Sequence, residues 1–229
     1  MDNDSDVCNR SHLLYDGRIS NIKDMVSTME YKIVEYGCLN EFQKNQAVEL
    51  FVEGFGHFMT FSKDEDLKRK LFLEIFHPSL FKCYVEDEKV LGLMGIATNE
   101  VRPLNFDYDL CIKYFGKFKG AILSKQMNLI FQKPVVKSKD ELYIDILVTG
   151  SGARRKGVGT ALLNHAFEIP EYTVWSVEAF SNNQAAIRLY EKNGFKVVQS
   201  KKLSFMHLLG AGYPIRLRKR KNVHGAEFS

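Results

Sequence analysis

The sequence predicts an α/β protein built on one central mixed sheet of six to seven strands, flanked by helices, with a helical insert ahead of the central strand. Three observations predict it. Stretches of period two and stretches of period 3.6 succeed one another along most of the chain. The segment from Glu141 to Phe180 reads strand, helix, strand, which calls for a right-handed parallel crossover. Two short apolar runs before it, joined by the acidic turn Glu86-Asp87-Glu88-Lys89, read as a hairpin, so one sheet holds both antiparallel and parallel pairs.

Residues 31–36 alternate and stop at Gly37, predicting the first strand. Asn40 with Gln43 three positions on is a capping-box pattern. The helix it opens carries Val48, Phe51, Phe55 and Phe58 at spacings of three and four, an apolar stripe for a core. Over 64–76 a second helix sets Leu67, Leu71, Phe72, Ile75 and Phe76 on one side, and Pro78 closes it. The hairpin strands follow at 80–85 and 90–97. Residues 102–137, rich in aromatics and broken by Gly116 and Gly120, predict one or two inserted helices. The central strand is expected over 141–148 and a helix over 158–168, ended by Pro170. A strand is expected over 173–180. A helix over 184–192 stops at Asn193-Gly194, a left-handed cap signal, and a strand follows over 195–199. Residues 203–209 read as the last strand, with 215–217 extending the sheet.

At 229 residues the chain suits one domain with tails: a flexible leader over 1–28, the domain over 29–215 and a basic flexible tail over 216–229. The formal charge is +4, but five positive charges sit in RLRKRK, leaving the rest of the chain near neutral at −1. Such a hexamer can dock on nucleic acid, yet it is more often solvated, so a nucleic-acid partner is not expected. No apolar run reaches the ~18–20 residues of a membrane span, and the acidic start is no signal peptide, which predicts a cytoplasmic protein with no membrane partner. The four cysteines are scattered without a CxxC pair, so neither a zinc site nor a disulfide framework is expected, and all four read as reduced thiols.

The stretch ELYIDILVTGSGARRKGVGT carries the chemistry. A strand runs into Thr149-Gly150-Ser151-Gly152, then into the basic glycine turn Arg154-Arg155-Lys156-Gly157-Val158-Gly159-Thr160, and at once into a helix. This layout offers backbone N–H groups and a positive helix end to a phosphate. A Walker loop needs its lysine after the last glycine, whereas Lys156 precedes Gly157; a dinucleotide fingerprint needs a third glycine, which is missing.

Arg154-x-x-Gly157-x-Gly159 resembles the cofactor signature of the GNAT superfamily of acyl-CoA-dependent N-acetyltransferases, in the manner of a single-domain bacterial-type member. Some thirty residues on, NQAAIRLYEKNGF is similar to the family's second signature, with Asn183, Ala186, Leu189, Tyr190, Gly194 and Phe195 in the matching places. The resemblance covers roughly 31–209 and is sharp only over 141–195. It implies acetyl-CoA as cosubstrate and no metal. Glycines at 157 and 159 let the backbone near a pyrophosphate, with N–H groups from about Arg155 to Thr160 turned inward and Arg154, Arg155 and Lys156 adding charge. The resemblance further implies that two central strands splay apart after the loop. Coenzyme A's arm then bonds backbone at Leu147, Val148 and Thr149, and Asn183 fixes it from the other side.

It also implies Tyr190 as the general acid for the departing thiolate, set against the ordinary reading of a packed aromatic. The base is open. Plain alternation puts Tyr143, Asp145 and Leu147 on one face and Ile144, Ile146 and Val148 on the other. Asp145, a carboxylate in an apolar strand, is the first candidate for the base, with a structural acceptor as its other reading and Glu178 and Glu100 as weaker candidates. Tyr143 stands where histone-acetylating relatives carry theirs. His57 and His77 read as surface or packing residues. The implied reaction is acetyl transfer to a primary amine, on a small molecule or a peptide, by direct attack, since no Cys or Ser sits in a nucleophile motif. A non-catalytic acyl-CoA-binding module and a homodimer stay open.

Overall fold

The computed structural model describes residues 31–56, 59, 61–131, 133–202 and 212–221. The elements are β1 (Tyr31–Glu35), α1 (Glu41–Phe55), α2 (Glu65–Ile75), β2 (Phe81–Glu86), β3 (Lys89–Ala97), α3 (Tyr108–Phe131), β4 (Glu141–Thr149), α4 (Val158–Phe167), β5 (Val174–Phe180), α5 (Gln184–Lys192), β6 (Lys196–Ser200) and β7 (Pro214–Arg220). They form a mixed seven-stranded sheet in the order β1-β2-β3-β4-β5-β7-β6. Only β4 and β5 pair in parallel, across the α4 crossover.

Local chemistry explains the element ends. Asn40 accepts a hydrogen bond from the Gln43 N–H at 2.9 Å while the Gln43 side chain accepts one from the Asn40 N–H at 3.3 Å, closing the capping box that starts α1. Asp64 caps α2 by accepting from the Leu67 N–H at 2.9 Å. Inside α3, Gly116 has φ 75° and ψ 167°, which breaks the insert into two helical pieces. A side chain at Gly120 would meet the Cys111 carbonyl oxygen at 2.4 Å, so the second piece returns close against the first.

Both faces of the sheet are covered. On one, α1, α2 and α3 bury Phe51, Phe72, Phe81 and Leu123 with Ile146 and Val148. On the other, α4 and α5 bury Trp175, Leu162, Tyr190 and Phe195 with Leu142 and Ile144. Ile144 and Ile146 therefore belong to opposite cores, which departs from plain alternation. The cause lies in the register: Gly95 pairs with Ile146 and Ile96 with Ile144, so Asp145 is an extra residue, a β-bulge. One inserted residue flips every side chain beyond it to the other face.

The basic segment is not a free tail. Residues 214–220 are β7, hydrogen-bonded to β5 on one side and β6 on the other. Leu217 is fully buried in the α4 face, whereas Arg216 and Arg218 turn to the opposite face and bond Glu141 or its surroundings. The domain thus extends at least to Arg220, and the expected 203–209 strand, the 1–28 leader, Phe58 and His57 lie outside the described residues. Cys83 and Cys111 are free and buried. Cys38 departs from the expectation of four reduced thiols: it is disulfide-bonded.

Candidate active site

The strand-to-helix loop is held at its two ends and open between. The Gly150 N–H donates to the Leu91 carbonyl at 3.0 Å, tying the end of β4 to β3. A short turn follows, Arg155 takes φ 64°, and Gly157 takes φ 88° with nothing within 4 Å of where a Cβ would stand. Gly157 is there for the backbone turn, and its side-chain space is free. The first bond of α4 is Ala161 N–H to the Gly157 carbonyl at 2.9 Å, and no side chain caps the helix. The N–H groups of Gly157, Val158, Gly159 and Thr160 accordingly find no acceptor among the described residues. Lys156 differs from the expectation of an inward N–H run: its N–H goes to the Ala153 carbonyl at 3.4 Å. At Gly159 a Cβ would press on Leu189 at 3.1 Å, so this glycine serves the approach of α4 to α5. Asn193 joins the same helices, its side-chain N–H groups reaching the Leu189 carbonyl at 2.8 Å and Thr160 Oγ1 at 3.5 Å.

Arg154, Arg155, Lys156 and Gly157 are exposed. Arg154 meets Glu53 at 3.4 Å, both side chains well solvated, a pair worth little against a multiply charged ligand. Arg155 and Lys156 have no ion-pair partner among the described residues.

Beside the loop the sheet opens. The parallel ladder ends at Ile144↔Val177. Beyond it β4 pairs only with β3, up to Thr149↔Gly92, and β5 only with β7, up to Phe180↔Pro214. Residues Asp145 to Thr149, including Leu147 and Val148, thus present an unpaired strand edge toward β5. Asn183 caps α5 across this opening, its side-chain oxygen accepting from the Ala186 N–H at 3.1 Å.

The titratable groups sort by environment. Tyr190 is 5% exposed, stacks edge-on against Phe195 at 5.7 Å, and has no hydrogen-bond partner for its hydroxyl among the described residues. Burial alone pushes its phenol well above the ordinary range, so it stays protonated. Asp145, the extra residue of the bulge, is bound to Arg102 through Nε at 3.0 Å and Nη2 at 2.6 Å, both side chains nearly buried. Burial pushes its carboxyl up and the guanidinium pulls it back. Glu178 is the first β5 residue past the last parallel pair; it is exposed, lies on the face opposite Val177 and Ala179, and has no ion pair among the described residues. Tyr143 shares that face; its phenol is raised chiefly by burial, with the Asp145 and Glu178 charges adding to the effect. Glu100 sits in the loop after β3, its N–H bound to Thr98 Oγ1 at 3.1 Å, and His77 pairs with Ser79 at 3.3 Å.

One cluster had no signal in the sequence. Glu141 accepts from Ser176 and, at 3.1 Å, from Arg218, at the wall of a cavity of about 560 Å³ that Arg216 also lines. Its members come from three strands, so only the pairing of β4, β5 and β7 joins them. No group of His, Cys, Asp and Glu side chains among the described residues could hold a metal ion.

The family model described as the Acetyltransferase (GNAT) family matches residues 44–195. Among solved structures, an N-acetyltransferase from Staphylococcus aureus Mu50 is similar at 18% identity and TM-score 0.54, over 79% of this chain and 97% of that one. A GCN5-related N-acetyltransferase from Kribbella flavida is similar at 13% identity and TM-score 0.52, over 83% and 97%. A GNAT-family acetyltransferase from Bacillus cereus ATCC 10987 is similar at 12% identity and TM-score 0.51, over 84% and 99%. At these identities the likeness speaks to the fold. No protein with a curated description matches. The matched stretch takes in the open loop, the diverging strands and most of the sheet, and the chain belongs to the GNAT acetyltransferase family.

Proposed function

We propose that this chain moves an acetyl group from acetyl-CoA to a primary amine by direct attack, with Tyr190 as proton donor to the leaving sulfur and Glu178, in place of Asp145, as acceptor of the amine proton. One observation carries the reading: an unpaired strand edge, opening at Ile144↔Val177, runs beside a loop whose four N–H groups find no acceptor among the described residues. These residues fit coenzyme A. The N–H groups of Gly157 to Thr160, with Arg154, Arg155 and Lys156, would hold its pyrophosphate at a helix N-terminus. The backbone of Leu147, Val148 and Thr149 would complete the open edge against its arm, with the Asn183 side chain on the far side. Once bound, the thioester supplies an activated acetyl group.

The roles follow from environment. Arg102 holds the Asp145 carboxylate in a two-armed grip that keeps it from turning toward an amine, whereas Glu178 is solvated and can take a proton directly or through a water. As the amine nitrogen bonds the carbonyl carbon and the C–S bond breaks, Glu178 gains one proton and Tyr190 gives one up, and solvent resets both. Tyr190 is too weak an acid to donate ahead of bond cleavage, so its transfer accompanies the breaking of the C–S bond. The cavity near Arg216 has room for a small acceptor or a peptide end. No helix among the described residues is long and apolar enough to cross a membrane.

The experiment is acetyl-CoA consumption over a panel of primary amines, with acetyl-CoA binding followed by calorimetry. We expect turnover with at least one amine class, and a tenfold or greater fall in kcat for Glu178→Gln at unchanged acetyl-CoA affinity. Binding without turnover on any amine would leave a non-catalytic acyl-CoA-binding module. A full-rate Glu178→Gln would remove the assigned base.

A further inference from the structure

The second piece of α3 has two apolar sides. Gly120, Leu123 and Ser124 are buried in the domain, with Met127 and Phe131 packed beside them. Half a turn away, positions 118, 122, 125 and 129 recur at four, three and four residues and form one line along the helix. Phe118 is 87% exposed, Ile122 54% and Leu129 57%, with Ile130 beside them at 57%. Lys125 stands on the same line, between Ile122 and Leu129, so the row is apolar at both ends with one cation at its middle; exposed apolar side chains grouped in this way mark an interaction site.

The charge around the seam is one-sided. From 110 to 139 there is no Asp, Glu or Arg, and there are seven lysines: Lys113, Lys117, Lys119, Lys125, Lys133, Lys137 and Lys139. All are exposed, and Lys113 alone has an ion pair among the described residues, with Glu74 at 2.7 Å. One lysine thus sits in the row of Phe, Ile and Leu and the others flank it, six of the seven with no ion pair among the described residues.

The chemistry selects among occupants. A second copy of the chain would set lysine field against lysine field. Nucleic acid would use the lysines and leave Ile122, Leu129 and Ile130 idle. Protein interfaces are poor in lysine, whose flexible, strongly hydrated head is costly to fix. An anionic bilayer uses both features: the apolar row enters the boundary between headgroups and acyl chains, and lysines beside it keep their heads at the phosphates. We propose that residues 117–131 seat this protein on the surface of an anionic membrane, with Phe118, Ile122, Leu129 and Ile130 inserted and Lys117, Lys119 and Lys125 on the headgroups. The expectation of no membrane partner rests on the lack of a long apolar run, which says nothing of a helix that lies on the bilayer surface. This inference stands apart from the acetyl-transfer reading.

The test is cosedimentation of the full chain with vesicles of 30% phosphatidylserine in phosphatidylcholine, and with phosphatidylcholine alone, at 0.1 and 0.5 M NaCl. We expect binding to the anionic vesicles, at least tenfold weaker on neutral ones and in the higher salt. Phe118→Ser with Leu129→Ser, and separately Lys117→Glu with Lys119→Glu and Lys125→Glu, should each lose tenfold or more. These side chains are exposed, so the melting temperature and acetyl-CoA affinity should hold. Equal binding to both vesicle types, or no binding to either, overturns the proposal. So does loss in the lysine variant alone, which would mean diffuse attraction without a seated helix. A concentration-dependent dimer in sedimentation equilibrium, abolished by Phe118→Ser with Leu129→Ser, would give the face to a second copy instead.

Discussion

Arg102 grips Asp145 through Nε at 3.0 Å and Nη2 at 2.6 Å, and its remaining nitrogen donates to the Ile130 carbonyl at 2.8 Å near the end of α3. The guanidinium also lies 5.5 Å from the centre of the Phe131 ring. One carboxylate, at the bulge where β4 changes faces, thereby anchors the inserted helix to the central strand. The anchor works because Arg102 satisfies a buried charge that the strand could not otherwise tolerate.

Removing one partner of such a pair leaves the other charged and buried, which costs about 3–5 kcal/mol. Asp145→Asn should therefore lower stability by about that much in chemical denaturation. The double change of Asp145→Leu with Arg102→Met should recover most of it. Folded Asp145→Asn should keep a turnover within a few-fold of the parent. Unchanged stability together with a hundredfold loss of kcat would return Asp145 to the role of base.

At the loop, Gly157 separates binding from folding. With φ 88° and open space around its Cβ position, Gly157→Ala costs only backbone strain, about 1 kcal/mol. Its added methyl stands where a pyrophosphate should approach, so acetyl-CoA affinity measured by calorimetry should fall tenfold or more. Arg154→Ala should weaken binding in a salt-dependent way with no loss of stability, since its contacts, to Glu53 and to the Thr149 carbonyl at 3.5 Å, are long and solvated. Unchanged affinity in both variants would remove this loop as the coenzyme A cradle.

Most element positions were legible because they depend on short-range chemistry. The Asn40 and Asp64 caps, the alternation of the hairpin and the Asn193-Gly194 stop each act within four residues. What was not legible depends on pairing between distant strands. Asp145 looks like any alternating residue until Gly95 and Ile96 take Ile146 and Ile144 as partners and leave it over. RLRKRK reads as a solvated run by charge, yet Leu217 fills a core while Arg216 and Arg218 alternate away from it. The same limit applies to the site. The loop and Tyr190 lie within one contiguous stretch and carry their own spacing. The candidate base could not be ranked, because the ion pair that argues against Asp145 comes from Arg102, forty-three residues away.

Tyr190 offers a test that uses the isolation of its hydroxyl. With no hydrogen bond to the described residues to lose, Tyr190→Phe should change stability by less than about 1 kcal/mol. As a general acid its loss should lower kcat about a hundredfold or more at unchanged acetyl-CoA affinity. An acetyl thioester with a more acidic thiol needs less protonation as it leaves, so the variant should recover part of its rate on that donor. A full-rate variant, or a loss that ignores the leaving group, would reduce Tyr190 to core packing against Phe195.

His165, in α4, gives a pH dependence of folding with a definite sign. Burial, and secondarily the Lys82 charge, drop its imidazole from 6.5 to about 4, with Glu35 opposing weakly. Above about pH 6.5 the group is neutral in both the folded and unfolded chain and contributes no pH dependence. As pH falls below that, the unfolded chain takes up a proton that the folded chain refuses, so stability drains until the folded imidazole also protonates near 4. The loss over this window is at most about 3 kcal/mol, since each unit of separation is worth about 1.4 kcal/mol. His165→Gln removes the titration while keeping a polar side chain of similar length. Denaturant midpoints at pH 7.5 and 4.5 should show the parent losing more stability than the variant on acidification. Carboxylates that titrate in both proteins cancel in that difference. Equal losses would mean that His165 is solvated and protonates freely in the folded chain.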